Sequence, residues 1–360
     1  MPRQLDILAL EPYFGGVRKQ TLELLSRHSR HRWTVYKLPA RRLERRLSTA
    51  AQWFTQQLRR VPNVRCDVIF ASDALNLAEF LRLNPRLSDQ PSVAYFYCNQ
   101  LTGETAADQQ SRLTVLSTAS CATEIWFNSF FHMGDFLAHA AATFDSHKEL
   151  AGTEPLRALV TKSQLIHPPV EIASPDKDSG VVDAERKGRN VCLDNRDGAL
   201  ADVFVAVLKE IAARKEPVAV HVLGRPLHGI PDEIPAIQVD TRNDIEVIRT
   251  LRICEFYISA HPCAEFDPMA MRAMVMGCIP ILRREGFYRE FLPEALQPWC
   301  LYDGQPAELL SRIMDLWYLR RPAVARKDLD TIFNRYTPIQ ATRNFDRRLD
   351  YLADQSPSRK

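Results

Sequence analysis

The sequence has no run of about 18 apolar residues, which excludes a helix built to span a bilayer. Its 8 cysteines include no Cys-x-x-Cys pair, and its 9 histidines show neither His-x-x-x-His nor His-Glu-x-x-His spacing. A disulfide scaffold and a zinc site built by the chain are therefore not expected, and no metal is assigned. Cys66, Cys98, Cys121, Cys192, Cys254, Cys263, Cys278 and Cys300 are scattered, mostly inside apolar runs, as reduced buried thiols are. Neither a Gly-x-Gly-x-x-Gly fingerprint nor a phosphate loop of the Gly-x-x-x-x-Gly-Lys kind occurs. No apolar leader with a small-residue cleavage site follows Met1-Pro2-Arg3, and a cytoplasmic location is expected.

What is present is the composition of an ordinary folded protein. The chain has 360 residues, 46% hydrophobic and 25% charged, enough for two domains of average size. The formal charge of +3 is unevenly placed: residues 1–70 carry fourteen Lys or Arg against five Asp or Glu, with Arg41, Arg42, Arg45 and Arg46 close together. Such a block attracts a polyanion, RNA included; it also fits the solvated face of an amphipathic turn after Pro39.

Short apolar strands alternate with helical stretches. Residues 5–10, 33–38, 67–71, 92–97 and 124–128 read as strands, with helices between them that include Leu22, Leu24 and Leu25 and then 75–83. The pattern stops in the polar, Pro- and Gly-bearing segment 168–188 and restarts with strands at 190–193, 218–224, 256–260 and 278–282 and a helix at 203–212. This predicts an α/β protein with two Rossmann-like parallel-sheet domains. The predicted bounds are 1–168 for an N-terminal domain, 169–188 for a linker, 189–335 for a C-terminal domain, and 336–360 for a terminal helix with a frayed end. A ligand is expected between the two domains, beyond the carboxyl ends of the strands.

Several segments directly after strands have the chemistry for that ligand. Gly15-Gly16 lets the backbone approach a ligand at the start of a helix, with Arg18, Lys19 and Gln20 adding charge and donors; an ordinary strand-to-helix turn is the competing reading. Asn99-Gln100 and Asn128-Ser129 offer amide donors and acceptors suited to sugar hydroxyls or base edges, or alternatively serve as caps and turns. Arg196 can hold a diphosphate by paired hydrogen bonds, or be a surface arginine. Glu265 can accept from sugar hydroxyls, ahead of a Met/Ala-rich helix that leads to Gly277-Cys278-Ile279-Pro280.

Taken together, Glu11-Pro12-Tyr13-Phe14-Gly15-Gly16-Val17-Arg18-Lys19-Gln20, Leu38-Pro39-Ala40-Arg41, Phe70-Ala71-Ser72-Asp73, Tyr97-Cys98-Asn99-Gln100-Leu101 and Phe127-Asn128-Ser129 resemble the motifs of the tRNA-queuosine mannosyltransferases, in family order. The resemblance is thinner afterwards, resting on Val222-Leu223-Gly224, Glu265-Phe266 and Gly277-Cys278-Ile279-Pro280. It implies a GT-B fold and transfer of mannose from GDP-mannose to queuosine in tRNA, with retention and no cofactor beyond the nucleotide sugar. Gly15, Gly16, Arg196, Glu265 and Gly277 would bind the donor; Lys19, Gln20, Asn99, Gln100 and Asn128 would bind the acceptor, with tRNA on the basic N-terminal region and no membrane partner. The chain departs from the pattern at Val17-Arg18 (Ser-His in the family), at Tyr97-Cys98 (His-Glu), and at Arg272 or Ala273, one of which occupies the position of the second donor-loop glutamate of related glycosyltransferases. A scaffold that binds tRNA or nucleotide without turnover, and a transferase using another nucleotide sugar, are the alternatives.

Overall fold

A computed structural model describes residues 3–61, 64–102, 106–146, 153–171, 189–196, 198, 201–259, 261, 266–318 and 332–355. The chain forms two compact units, Met1–Glu171 with Asn334–Lys360, and Ile172–Phe333. Of the predicted linker, residues 172–188 lie outside the described residues, as does Glu265.

The first unit is built on six parallel strands: β1 (Asp6–Phe14), β2 (Arg32–Pro39), β3 (Val68–Ser72), β4 (Ser92–Phe96), β5 (Glu124–Phe127) and β6 (Ser163–Leu165), in the order β2-β1-β3-β4-β5-β6. β3, β4 and β5 are buried at every position, as strands covered on both faces must be. Alternate residues feed two cores. Leu8, Leu10, Ile69, Ala94 and Phe96 pack with Ala50 and Phe54 of the helix Leu43–Arg59 and Phe136 of the helix Phe130–Ser146. Ile7, Ala9, Phe70, Tyr95 and Trp126 face the other way, onto Leu22 and Leu25 of the helix Gly16–His28 and onto the helix Pro338–Gln355. That last helix belongs to this unit because Phe345 sits among the rings of Phe70, Tyr95 and Trp126, and Arg348 and Asp350 pair with Glu124 and Arg30.

The second unit repeats the plan with β7 (Asn190–Asn195), β8 (Ala219–Gly224), β9 (Ala236–Val239), β10 (Phe256–Ser259), β11 (Ile279–Arg283) and β12 (Leu301–Tyr302), all parallel in the order β12-β11-β10-β7-β8-β9. Val191, Leu193, Val220, Val222 and Ile258 pack onto the helices Ala201–Ala213 and Pro306–Tyr318.

β6, β9 and β12 go beyond the strands expected from sequence. β9 is exposed at three of its four positions and β12 has two residues, so neither leaves an apolar run. Around Arg41–Arg46 the expected single turn is the start of a 17-residue helix, whose buried Leu47, Ala50, Ala51, Phe54 and Leu58 recur at helical spacing. β1 runs four residues past the expected end, through a register shift against β2 between Glu11 and Phe14. No helix among the described residues is long and apolar enough to cross a membrane.

Candidate functional site

Parallel strands bring their carboxyl ends to one side, so in the first unit the residues after β1, β3, β4 and β5 gather there. Gly15 is extended, and a Cβ on it would lie 2.5 Å from the Ala40 Cβ; Gly16 has φ of 52°, a left-handed value that glycine adopts without strain. The turn delivers Arg18, in the first coil of the helix, to Asp73 at the end of β3. The guanidinium and carboxylate meet in a forked pair, with Nη2 2.9 Å from Oδ2, and both side chains are buried. Tyr97 lies under the guanidinium, 4.7 Å from its carbon to the ring centre. Gln100 donates to the Asp73 carboxylate at 2.8 Å and to its carbonyl at 3.2 Å, while Cys98 Sγ stands 3.5 Å from Arg18 Nη2. Burial works against the Arg18 charge, but Asp73 more than offsets it and its pKa lies well above the ordinary value.

Glu11, at 1% exposure, is a second buried acid at this end. Its Oε1 accepts from the Tyr13 N–H at 2.7 Å and the Ser72 hydroxyl at 3.1 Å; its Oε2 is buried and, among the described residues, has no hydrogen-bond partner. Burial outweighs the pull of Arg18 and pushes the carboxyl up to about 7.

The amides expected to meet an acceptor have protein partners. Asn99 is buried, donates to Asp135 at 2.6 Å, accepts from the Leu101 N–H at 2.9 Å and lies 3.3 Å from His139 Nδ1. Asn128 is buried, donates to the Tyr97 carbonyl at 3.0 Å and stands 3.0 Å from Nδ1 of His132, whose pKa burial pushes down to about 4. Lys19 is exposed beside Glu23 at 3.8 Å, and Gln20 is half-buried on the same helix. Gly15, Gly16, Gln100, Asn99 and Asn128 thus share one end of the sheet, with the side chains of the last three engaged in holding it together.

In the second unit the corresponding end contains Arg196, one residue past β7. Its Nε lies 2.8 Å from Asp194 Oδ1, and its Nη2 lies 2.6 Å from Asp194 Oδ2 and 3.1 Å from Asp267 Oδ1. Asp267 also caps the helix Pro268–Val275 through the Met269 N–H at 3.0 Å. Tyr257 donates to Asp194 at 2.6 Å and Tyr288 to Asp267 at 2.9 Å. Burial opposes the Asp194 carboxylate, yet Arg196 beside it keeps its pKa below the ordinary value. Gly224 ends β8 at φ of 94°, and a Cβ there would lie 2.5 Å from the Arg196 Cα, so the two loops touch backbone to backbone.

Arg196 keeps 39% of its side chain exposed, on a cavity of about 630 Å³ formed past β7, β8 and β9. Arg225, Gln238, Asp240, Thr241 and Glu246 are among its other lining residues. Arg225 is exposed and lies against Gly198; among the described residues it has no ion-pair partner. Three guanidinium groups line this cavity, Arg242 paired with Asp240 at 3.0 Å beside Arg196 and Arg225, and such a lining suits a phosphate-bearing ligand. Gly277 stands elsewhere. Its φ of 89° ends the helix Pro268–Val275, and β11 then starts in register with the amino ends of β10 and β7. It therefore lies at the opposite end of the sheet from Arg196. Arg272 pairs with exposed Asp244 at 3.1 Å.

Asp73, Arg225 and Asp267 were not expected as site residues, and Arg18 was expected only as added charge at a helix start. The signals were a Ser72-Asp73 pair ending an apolar strand, and an arginine directly after Gly224.

Residues 6–170 match the family model described as tRNA-queuosine alpha-mannosyltransferase N-terminal. The chain is 25% identical over 363 aligned residues to the tRNA-queuosine alpha-mannosyltransferase of Drosophila melanogaster, covering 95% of this chain and 92% of that protein. Among solved structures it is similar to Anabaena HepE in complex with UDP and glucose, with TM-score 0.64, 14% identity and coverage of 97% of this chain and 100% of the other. It is also similar to the UDP-forming alpha,alpha-trehalose-phosphate synthase of Burkholderia xenovorans in complex with glucose-6-phosphate, with TM-score 0.63, 11% identity, and 96% and 100% coverage. Residues 6–170 carry the N-terminal domain of the tRNA-queuosine alpha-mannosyltransferases, and two six-stranded parallel sheets with a relative aligned along nearly the whole chain make this protein a glycosyltransferase of GT-B fold.

Proposed function

We propose that the protein transfers mannose from GDP-mannose to queuosine in tRNA, with retention of configuration, in the cytoplasm. The match over residues 6–170 carries this reading, because it covers the half of the chain with the family's most specific motifs. The cavity of about 630 Å³ in the second unit supports the donor side. It falls within the roughly 300–1,000 Å³ usual for small-molecule sites. The sugar C1–oxygen bond to the diphosphate breaks, a bond from C1 to an acceptor hydroxyl oxygen forms on the same face, and the hydroxyl proton passes to the departing diphosphate. Arg196 and Arg225 supply the positive charge that this leaving group needs, so the reading requires no metal or other cofactor.

The test is incubation with labelled GDP-mannose and tRNA with or without queuosine. Label is expected only in queuosine-containing tRNA. No label, while the Drosophila relative transfers under the same conditions, removes the reading; transfer from a UDP-sugar instead assigns a different donor.

A further inference from the structure

The first unit has a group of cations that neither its core nor the cluster at Arg18 uses. Arg41, Arg42 and Arg45 are exposed, and among the described residues none has an ion-pair partner. Lys37 is exposed as well, its ammonium 4.1 Å from the centre of the Phe14 ring rather than beside a carboxylate. The group is fixed in place. Ala40, the residue before Arg41, packs so closely on Gly15 that only a glycine fits there. The four cations therefore border the turn that follows β1, at the carboxyl end of the sheet.

The arrangement is unfavourable for the fold. Arg42 is a non-glycine residue at φ of 50° and caps the helix Leu43–Arg59 without a side-chain hydrogen bond. Cations at the start of a helix oppose its dipole, and Asn, Asp, Ser or Thr would cap it better. Here Arg45 and Arg46 sit in the opening turns with Glu44 as the acid of the first turn. Mutual repulsion, strain and a missing cap at one exposed place fit a surface shaped for a polyanion rather than for stability.

We propose that Lys37, Arg41, Arg42 and Arg45 form the surface on which the phosphodiester backbone of an RNA docks. The inference rests on the tRNA-acceptor reading above and adds the place where the RNA is held. A polynucleotide backbone suits these residues because arginine forks match phosphate oxygens and the spacing is irregular. An anionic membrane suits them less: Val61 is the one exposed large apolar residue between positions 37 and 61, too little for an apolar anchor.

The test compares the full chain with an Arg41→Gln/Arg42→Asn/Arg45→Gln variant and with a control, Lys209→Gln/Arg214→Gln/Arg252→Gln, which removes as many exposed cations from the second unit. Binding of purified tRNA, with and without queuosine, is followed across a salt series. The patch variant is expected to bind both tRNAs about 10- to 100-fold more weakly, and its log–log salt slope to flatten by about 2 to 3. Its thermal midpoint is expected at or above that of the native chain, because Asn tolerates the left-handed conformation and caps the helix. The control is expected to match the native chain in affinity and slope. Unchanged tRNA binding in the patch variant overturns the proposal, as does weaker binding accompanied by a lower midpoint. So does a native chain that binds no tRNA, or a loss confined to phosphatidylserine vesicles with tRNA binding intact. Binding lost with the patch, from a native chain that transfers no mannose, leaves the docking surface standing and removes the mannosyl reading instead.

Discussion

The same device, an arginine forked onto an aspartate past a strand end, occurs in both units at different depths. Arg18 and Asp73 are 8% and 0% exposed, whereas Arg196 is 39% exposed over Asp194 and Asp267 at 4% and 5%. In the first unit the pair is sealed under Tyr97 and Gln100 and fixes which loops meet. In the second it borders the cavity, with Nε and Nη2 of the guanidinium anchored on Asp194 and Asp267 while the side chain stays partly open to solvent. Burial decides whether a salt bridge specifies structure or remains available to a ligand.

The largest effect should come from breaking the sealed pair. Asp73→Ala leaves a buried guanidinium without its counter-ion and should destabilise the first unit by about 3–5 kcal/mol. Asp194→Ala leaves Arg196 with Asp267 and water, and should cost about 1–2 kcal/mol. Denaturant unfolding of both variants checks this; equal losses would break the contrast between the two ends.

Glu11 gives a pH-dependent version of the same contrast. Its carboxyl sits at about 7 in the fold against an ordinary 4.5, so the folded state holds the proton more tightly. Stability is therefore full below pH 4.5 and declines as pH rises toward 7, by about 3 kcal/mol in total. Glu11→Gln keeps the acceptor for Tyr13 and Ser72 but removes the charge. It should match the native chain near pH 4 and exceed it by about 3 kcal/mol at pH 8. His132 acts with opposite sign: its pKa falls from 6.5 to about 4, so its contribution is lost as pH drops below 6.5. Urea midpoints across pH 4–8 separate the two.

How much of this was legible depended on whether a feature is local. β3, β4 and β5 were plain because strands buried on both faces are continuous apolar runs, and the Gly15-Gly16 turn was plain because its cause lies in two adjacent residues. Arg18 and Asp73 are 55 residues apart, and nothing near either names the other. Asn99 and Asn128 looked like ligand donors because an amide after a strand reads the same in either setting. Only the later Asp135, His139 and His132 reveal that these two are internal braces. Arg196 was visible as a cation after a strand, but its tether to Asp267 spans 71 residues. Arg225 follows a strand just as plainly, but its significance lies in sharing a cavity with Arg196, which no local signal carries.

That shared cavity gives the next smaller effect. Arg225→Ala removes a guanidinium without an ion-pair partner among the described residues, so the fold should hold. The dissociation constant for GDP should rise about 10- to 30-fold if the group meets the diphosphate. Calorimetric titration of GDP measures it. Unchanged affinity would leave the second unit's open end without the role that distinguishes it from the sealed end.

The smallest effect concerns how the sealed end is framed. Gly15→Ala places a methyl group 2.5 Å from the Ala40 Cβ, closer than non-bonded carbons come, so the loop at Ala40 must shift. The extended φ of −166° at Gly15 suits alanine, which leaves the clash as the only penalty, about 1–2 kcal/mol. Ala40→Gly alone should cost under about 1 kcal/mol. Combining the two should restore most of the Gly15→Ala loss, because the second change removes the atom that the first one strikes. A double-mutant cycle on denaturant unfolding reads this as a favourable coupling of about 1 kcal/mol. Additive losses would mean that the Ala40 Cβ is not what the new methyl group strikes, and that the arginine-bearing loop is not braced against the first strand's turn.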